Sequence, residues 1–347
     1  MKSRSARPRL RGSPRGYVPE SLFLHPAWLA WKTTLGWSVI EADEGFVILH
    51  KTIGPSVSMA YALCPLSLLE GASELGDDLD YGAALERLSL RALPRLPGNC
   101  AFIRWDLEAP AWTDEDGAPL AVWLQELRMN ASTRGRRLRK SSMEYRCPDT
   151  MVVDLSGGRE AVLGRMDGRT RYSIRLADRR GTAVEQEGVE GLRDFHALHV
   201  ETATRHGLAV YPESAFRDLF LASRAYGLSL KLYSARSEGE CAASAIVARN
   251  EGEAWYLFAA SSSDRRRAIG PSAILYRTLI DCAEAGDERM DLLGVGPEGK
   301  MDHPLARLTL FKSGFGGRRR LRAGAWDYVM DEEAHAAYAS LEACGIN

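Results

Sequence analysis

Near the end of the chain an ammonium, an aromatic ring and three glycines fall within seven residues: Phe311, Lys312, Gly314, Gly316 and Gly317. A lysine carries a point charge that can meet an anion, and glycine lets the backbone turn sharply or approach a ligand closely. The β-forming run 308–311 predicts a strand that ends on Lys312 and opens onto a site. The plainer alternative is a strand, a glycine turn and a solvated lysine. Two further candidates lie far away in the chain: Lys32, beside Trp28 and Trp31, and Asp106, directly after the apolar segment 100–105. Asp106 could orient or deprotonate an attacking amine, or it could be a salt-bridged carboxylate at a strand end. His196, His199 and His206 have no carboxylate at a metal-ligand spacing, so no metal site is expected.

Arginine supplies 38 of the 45 basic residues, and it clusters. Its planar fork suits bidentate contacts with anions. Arg265, Arg266 and Arg267 stand just before a helix start at Pro271, where free N–H groups and the helix dipole favour phosphate. The runs 134–140 and 318–322, the latter with Arg318, Arg319 and Arg320, read either as solvated surface or as phosphate contacts. The segment 294–299, GVGPEG, lacks the strand and helix of a dinucleotide-binding unit, and the chain has no G-x-S-x-G, H-E-x-x-H or Walker A motif. No cofactor is expected.

The elements that must hold these residues can be traced in order. At 347 residues the chain exceeds what one hydrophobic core usually serves, and 45% apolar with 26% charged residues describes a globular protein. The net charge of −1 gives no overall field for nucleic acid. Six scattered cysteines without a C-x-x-C pair point to reduced thiols and a cytoplasmic protein. The basic segment 1–19 lacks the apolar run of a secretory signal and reads as a disordered tail. Residues 52–69 carry no charge, but Gly54, Pro55, Pro65 and interspersed serines make them two buried strands and a turn, not a membrane span.

A helix over 21–37, a hairpin over 46–64, a helix over 79–93 and a strand over 100–105 give a mixed first domain. In the second, 151–155 reads as a strand, 158–180 as a helix with a basic face, and 192–206 as a helix stopped by Gly207. Strands over 228–234, 242–249 and 254–260, a helix over 271–285 and a strand over 290–295 follow. This order, antiparallel meander, helix, strand, suits an acyltransferase fold of the GNAT type. The fold class is therefore α/β (α+β).

Three blocks of the chain resemble the FemABX family, aminoacyl-tRNA-dependent transferases that attach amino acids to the stem peptide of peptidoglycan precursors. The first is LHPAWLAWKTTLGW at 24–37 with SMAYALCP at 58–65 and FIRWDLEAP at 102–110. The second, and most specific, is PDTMVVDLS with MDGRTRYSIRLADRRG at 148–181. The third runs from AWYLFAASS at 254–262 to FKSGFGG and closes with AWDYVM at 325–330. The resemblance implies two GNAT-like domains packed together without a coiled-coil arm: a tail over 1–19, a first domain over 20–147 completed by 318–347, and a second over 148–317. It also implies that Lys312 faces the developing oxyanion or the leaving ribose oxygen, and that Phe311 packs beside the acceptor or the terminal adenosine. Lys32 would contact the precursor's phosphates. Further substrate contacts drawn from the same blocks are Trp28, Tyr61, Arg104, Arg171, Tyr172, Arg175 and Tyr256, with Tyr211 nearby.

The implied partners are aminoacyl-tRNA, for which Arg265, Arg266, Arg267, Arg318, Arg319 and Arg320 are candidate contacts with 318–322 preferred, and a lipid-linked muropeptide, met by a monomer at the inner membrane surface. Three positions depart from the family pattern. The segment Tyr61 to Pro65 lacks the usual Arg and Gly, Tyr211 and Ala215 replace an Arg and Tyr pair of nucleotide-using relatives, and Arg307 stands where many relatives place Gly. Two other classes of function compete: an acyl-CoA-dependent N-acyltransferase using the 265–272 loop, and a non-catalytic binder of cell-wall precursor.

Overall fold

The computed structural model describes residues 21–41, 46–65, 68, 81–112 and 137–343. The expected tail and the first half of the 134–140 run lie outside them. The chain divides into two compact units, residues 1–148 with 320–347 and residues 149–319.

The first unit opens on a 3₁₀ turn, Leu22–Leu24, and helix α1, Pro26–Thr34. Pro26 takes the first helical position, where a missing N–H costs nothing, and His25 Nδ1 accepts from the Ala27 N–H at 3.1 Å. Strands β1 (Ser38–Glu41), β2 (Val47–Gly54) and β3 (Val57–Cys64) form an antiparallel meander. Helix α2 (Tyr81–Ala92) then carries the chain across, so that β4 (Cys100–Trp112) lies parallel to β3, and the short β5 (Leu138–Lys140) follows. The two-residue period of β4 sorts its side chains. Ile103, Trp105 and Leu107 join Ala60, Ala62, Leu85 and Leu88 in one core, while Phe102 joins Leu29, Met59 and Tyr61 in another. Arg104 and Asp106 share the parity of Phe102 and therefore the face covered by α1.

The second unit begins with β6 (Asp149–Asp154), α3 (Gly158–Arg165) and α4 (Gly168–Arg179). The single helix expected over 158–180 is broken because Asp167 adopts an extended conformation and its carboxylate caps α4 through the Thr170 N–H. After β7 (Ala183–Glu187), helices α5 (Leu192–His206) and α6 (Glu213–Tyr226) cover one face of the sheet through Leu192, Phe195, Leu198 and Phe216. The meander β8 (Ser229–Ser237), β9 (Glu240–Asn250) and β10 (Glu253–Ser261), helix α7 (Gly270–Glu284) and strand β11 (Arg289–Gly294) occur where the spacing puts them. The strand order is β6-β11-β10-β9-β8-β7. Strand β11 runs parallel to β10 in a register that ends at Trp255 and Asp291, and β10 carries an irregularity between Tyr256 and Phe258.

The strand expected over 308–311 is a helix, α8 (Ala306–Ser313). The inward positions are Ala306, Thr309 and Lys312, whereas Leu308 and Leu310 are exposed. This is a helical period written in residues that are not large and apolar, so hydrophobic patterning could not reveal it. The chain then enters β12 (Arg318–Val329), which pairs antiparallel with β4 and β5 of the first unit, and ends in α9 (Glu332–Ala343). Among the described residues no helix is long and apolar enough to cross a membrane.

Candidate active site

In the second unit Lys312 lies in the last turn of α8, 7% exposed, and its ammonium donates to the Gly294 carbonyl at 2.7 Å. Gly294 ends β11 directly after Leu293, whose φ of +61° is strained for a branched side chain. The β11–β6 register is irregular between Asp291 and Gly294, and Thr309 of α8 holds the Gly296 N–H at 2.9 Å. A lysine, a strained strand end and a helix are thus tied together. Phe311 packs at the edge of the core in edge contact with Phe315, ring centroids 5.3 Å apart.

The glycines after Lys312 serve packing. A Cβ on Gly314 would lie 2.4 Å from Thr170 Oγ1, and one on Gly316, at φ +81°, 2.6 Å from the Arg165 carbonyl oxygen. They press the end of α8 onto the α3–α4 junction, where the Asp167 N–H donates to the Gly314 carbonyl at 2.9 Å.

In the first unit Lys32 sits among indoles. Its Nζ is 5.7 Å from the Trp28 ring centroid, 5.5 Å from Trp31 and 5.8 Å from Trp37. Burial, and then the charge of Lys51, pull the Lys32 ammonium down to a pKa of about 8. Trp28 is itself buried against Phe23 and Trp31.

The carboxylates of this unit are locked. Asp106, 1% exposed, accepts from Tyr61 Oη at 2.6 Å, and Arg322 Nη1 stands 3.5 Å from its other oxygen. Arg146 ties this pair to Glu108. Burial alone would raise the Glu108 pKa, but Arg146 and Arg322 outweigh it and hold the carboxyl low. Burial and then Asp106 push the Tyr61 phenol up. Of the two readings of Asp106, the salt-bridged one describes its surroundings.

Arg104 is also consumed internally: it makes bidentate bonds to Asp327 at 2.8 and 2.9 Å and to Glu342 at 2.6 and 2.9 Å, with no side-chain exposure. Its expected substrate contact is therefore not supported. Arg171 spends its guanidinium on the Leu163 and Met166 carbonyls, capping α3, and Tyr256 lies inside the apolar core. Tyr211 packs between His199, Phe216 and Phe258. Tyr172 and Arg175 are exposed on α4, with Arg179 over the Tyr172 ring.

Arg265 pairs with Glu240, while Arg266 and Arg267 are exposed in the turn before α7. The run 318–322 is a correction. Only its first member, Arg318, is exposed; Arg319 binds Asp149 at 3.1 Å and the Gly296 carbonyl, Arg320 is partly buried, and Arg322 is 2% exposed beside Asp106. Most of the run is thus held inside a strand, with Arg318 at its exposed end. Sequence reasoning did not single out Lys51, whose only signal was a lysine within the largely apolar β2, and it gave no role to Trp37 at the end of the 24–37 block.

Comparison with known proteins follows this geometry. An acetyltransferase (GNAT) domain family matches residues 168–303. The fold is similar to the crystal structure of FemX, with a TM-score of 0.67 at 17% identity over 92% of this chain and 94% of that one. It is also similar to L-PGS from Bacillus licheniformis, with a TM-score of 0.51 at 13% identity over 88% of each chain. These likenesses define the class: an α/β chain of GNAT-like acyltransferase fold. In sequence the chain is 27% identical over 201 residues to the lipid II:glycine glycyltransferase of Staphylococcus saprophyticus, covering 56% of this chain and 46% of that protein. The match thus spans about half the length of that curated relative. The resemblance to the FemABX family carried by the sequence motifs is borne out by these relationships.

Proposed function

We propose that this protein is an aminoacyltransferase that moves an amino acid from aminoacyl-tRNA to the side-chain amine of the stem peptide of a lipid-linked peptidoglycan precursor. The observation that carries this reading is Lys312: a nearly buried ammonium, fixed by the Gly294 carbonyl next to a strained residue, in the unit that matches a GNAT domain. Aminolysis of an aminoacyl ester starts from an activated carbonyl, so positioning and charge stabilisation can supply most of the acceleration. Lys312 would stabilise the oxyanion as the amine nitrogen bonds to the acyl carbon and the ribose oxygen departs. Phe311 would pack against one of the two substrates. Lys32 would hold the precursor's phosphates. We assign no general-base role to Asp106, whose oxygens lie beside Tyr61, Arg146 and Arg322.

The reaction would take place in the cytoplasm, in keeping with the scattered thiols, with the enzyme touching the inner membrane surface as a monomer. For the domains we propose the limits 20–147 with 318–347, and 148–317. The test is incubation with purified lipid-linked precursor and a pool of labelled aminoacyl-tRNAs, followed by mass measurement. A mass increase of one or more aminoacyl residues on the stem peptide is expected, and an unchanged precursor would overturn the reading.

A second reading has its own observation. The parallel register of β10 and β11 ends at Trp255 and Asp291, and α7 starts without a side-chain cap behind Arg266 and Arg267, which suits an acyl-CoA. Acyl transfer that proceeds with acyl-CoA and without tRNA would favour it.

A further inference from the structure

We propose that Lys51 joins Lys32 in a two-lysine site around Trp37 that binds the diphosphate of the acceptor substrate. This rests on the acceptor-binding role proposed for Lys32 and extends it to a residue that no motif singles out.

The argument starts from where β2 puts Lys51. Its neighbours of the same parity, Leu49 and Ile53, belong to the apolar cluster under α1, and its partner across the β2–β3 ladder is Met59, which has no exposure. On the other side, the β1–β2 register pairs Ser38 with His50, so the next position outward opposite Lys51 is Trp37. A lysine pointing into such a face is rare unless something pairs with it. No ion pair forms to Lys51 or Lys32 among the described residues. What they share is the Trp37 ring, with Lys51 Nζ 5.6 Å and Lys32 Nζ 5.8 Å from its centroid.

One ammonium over indoles is an ordinary cation–π contact. Two are not, because the second adds like-charge repulsion between half-buried ammoniums. That repulsion is felt at Lys32, whose ammonium is weakened by burial and then by Lys51. A structure that only needed to fill this space would have an apolar residue at 51. A ligand with two or more negative charges on adjacent oxygens removes the repulsion and satisfies both donors at once, whereas a single carboxylate neutralises only one. A diphosphate has that charge and span, and the indole edges suit the less polar groups attached to it. Lipid-linked and nucleotide-linked precursors both carry this group.

The test uses the full-length protein and inorganic pyrophosphate as probe, read by calorimetry and by the fluorescence of Trp28, Trp31 and Trp37. Wild type should bind. Lys51→Met keeps the aliphatic length and removes the charge, and it should weaken binding roughly tenfold to a hundredfold, the worth of one charge-assisted hydrogen bond. Lys51→Arg should retain most of the affinity. Separate titrations with lipid-linked and nucleotide-linked precursor should show the same loss in whichever arm binds, and the arm that binds names the source.

In turnover assays Lys51→Met should raise the acceptor KM with kcat little changed. Unchanged pyrophosphate affinity in folded Lys51→Met, or no binding by wild type, would overturn the site. Lysine-dependent pyrophosphate binding in a protein that transfers no aminoacyl group would leave the site standing and remove the transferase reading. Transfer with an unaltered acceptor KM in Lys51→Met would do the reverse.

Discussion

Two groups of charges lie on the same face of the first unit's sheet, and they are treated in opposite ways. Around β4 each buried charge meets its opposite: Arg104 with Asp327 and Glu342, and Asp106 and Glu108 with Arg146 and Arg322. Around Trp37 two lysines share one ring, their Nζ atoms 5.8 and 5.6 Å from its centroid. Bidentate pairing occupies the donors of Arg104, and the ion pairs around Asp106 and Glu108 balance their cost of desolvation within the protein. An uncompensated pair keeps its demand for an anion. On the proposed reading, the contrast separates residues that hold the fold from residues that bind a ligand, where residue type alone places Arg104, Asp106 and Lys32 together as candidates.

The largest effect that tests this contrast comes from the closed network. Arg104→Ala should destabilise the protein by about 3–5 kcal/mol, because the buried carboxylates of Asp327 and Glu342 would lose their guanidinium and keep only His335 and the Ser142 hydroxyl. Chemical denaturation measures it, and a variant of wild-type stability would mean that the network is not structural. Asp327 sharpens the point: burial opposes its ionised form, yet Arg104 and His335 hold its pKa below the ordinary value.

Next comes Lys312→Ala, expected to lower kcat by about a hundredfold or more with a far smaller change in stability, as removal of one oxyanion-stabilising donor does. Single-turnover transfer and a thermal melt, measured side by side, check both halves, and a normal rate would remove Lys312 from the mechanism.

Lys32→Met should behave unlike either. The acceptor KM should rise about tenfold while kcat stays near wild type, and the melting temperature should hold or increase because a desolvated charge is lost. A pure kcat defect would place Lys32 in the chemistry instead.

The smallest effect is a pH dependence. The Lys32 ammonium, lowered to about 8, is charged below that pH and neutral above it, so affinity for pyrophosphate should fall as pH rises through about 8, with proton uptake on binding. For stability the sign is opposite. Between about 8 and the ordinary 10.5 the unfolded chain holds a proton that the folded chain has released, so this lysine makes folding more favourable as pH rises there. Calorimetry in buffers of different ionisation enthalpy across pH 7–9.5 should detect the proton uptake; a flat profile would leave Lys32 outside the anion site.

The fold was legible wherever local pattern carries the information. The meander over β8 to β10 and helix α7 follow from alternating apolar residues and from Pro271 and Gly286 as start and stop, all within a few residues of the feature they define. The break between α3 and α4 was missed because a cap at Asp167 competes with an otherwise continuous helical pattern. The segment 308–311 misled because its large apolar residues are the exposed ones.

What the sequence by itself determined was the α/β class, the order of most elements and the identity of the chemically able residues, since backbone propensity and hydrophobic period act over short spans. Only the tertiary structure decided which of those residues are engaged. Arg104 meets partners 223 and 238 positions away, and Lys51 stands beside Lys32 only because β1 and β2 pair in one register. Whether a charge is satisfied depends on contacts between chain-distant groups and on the water they exclude, and neither quantity is written in the neighbours of the residue that carries the charge.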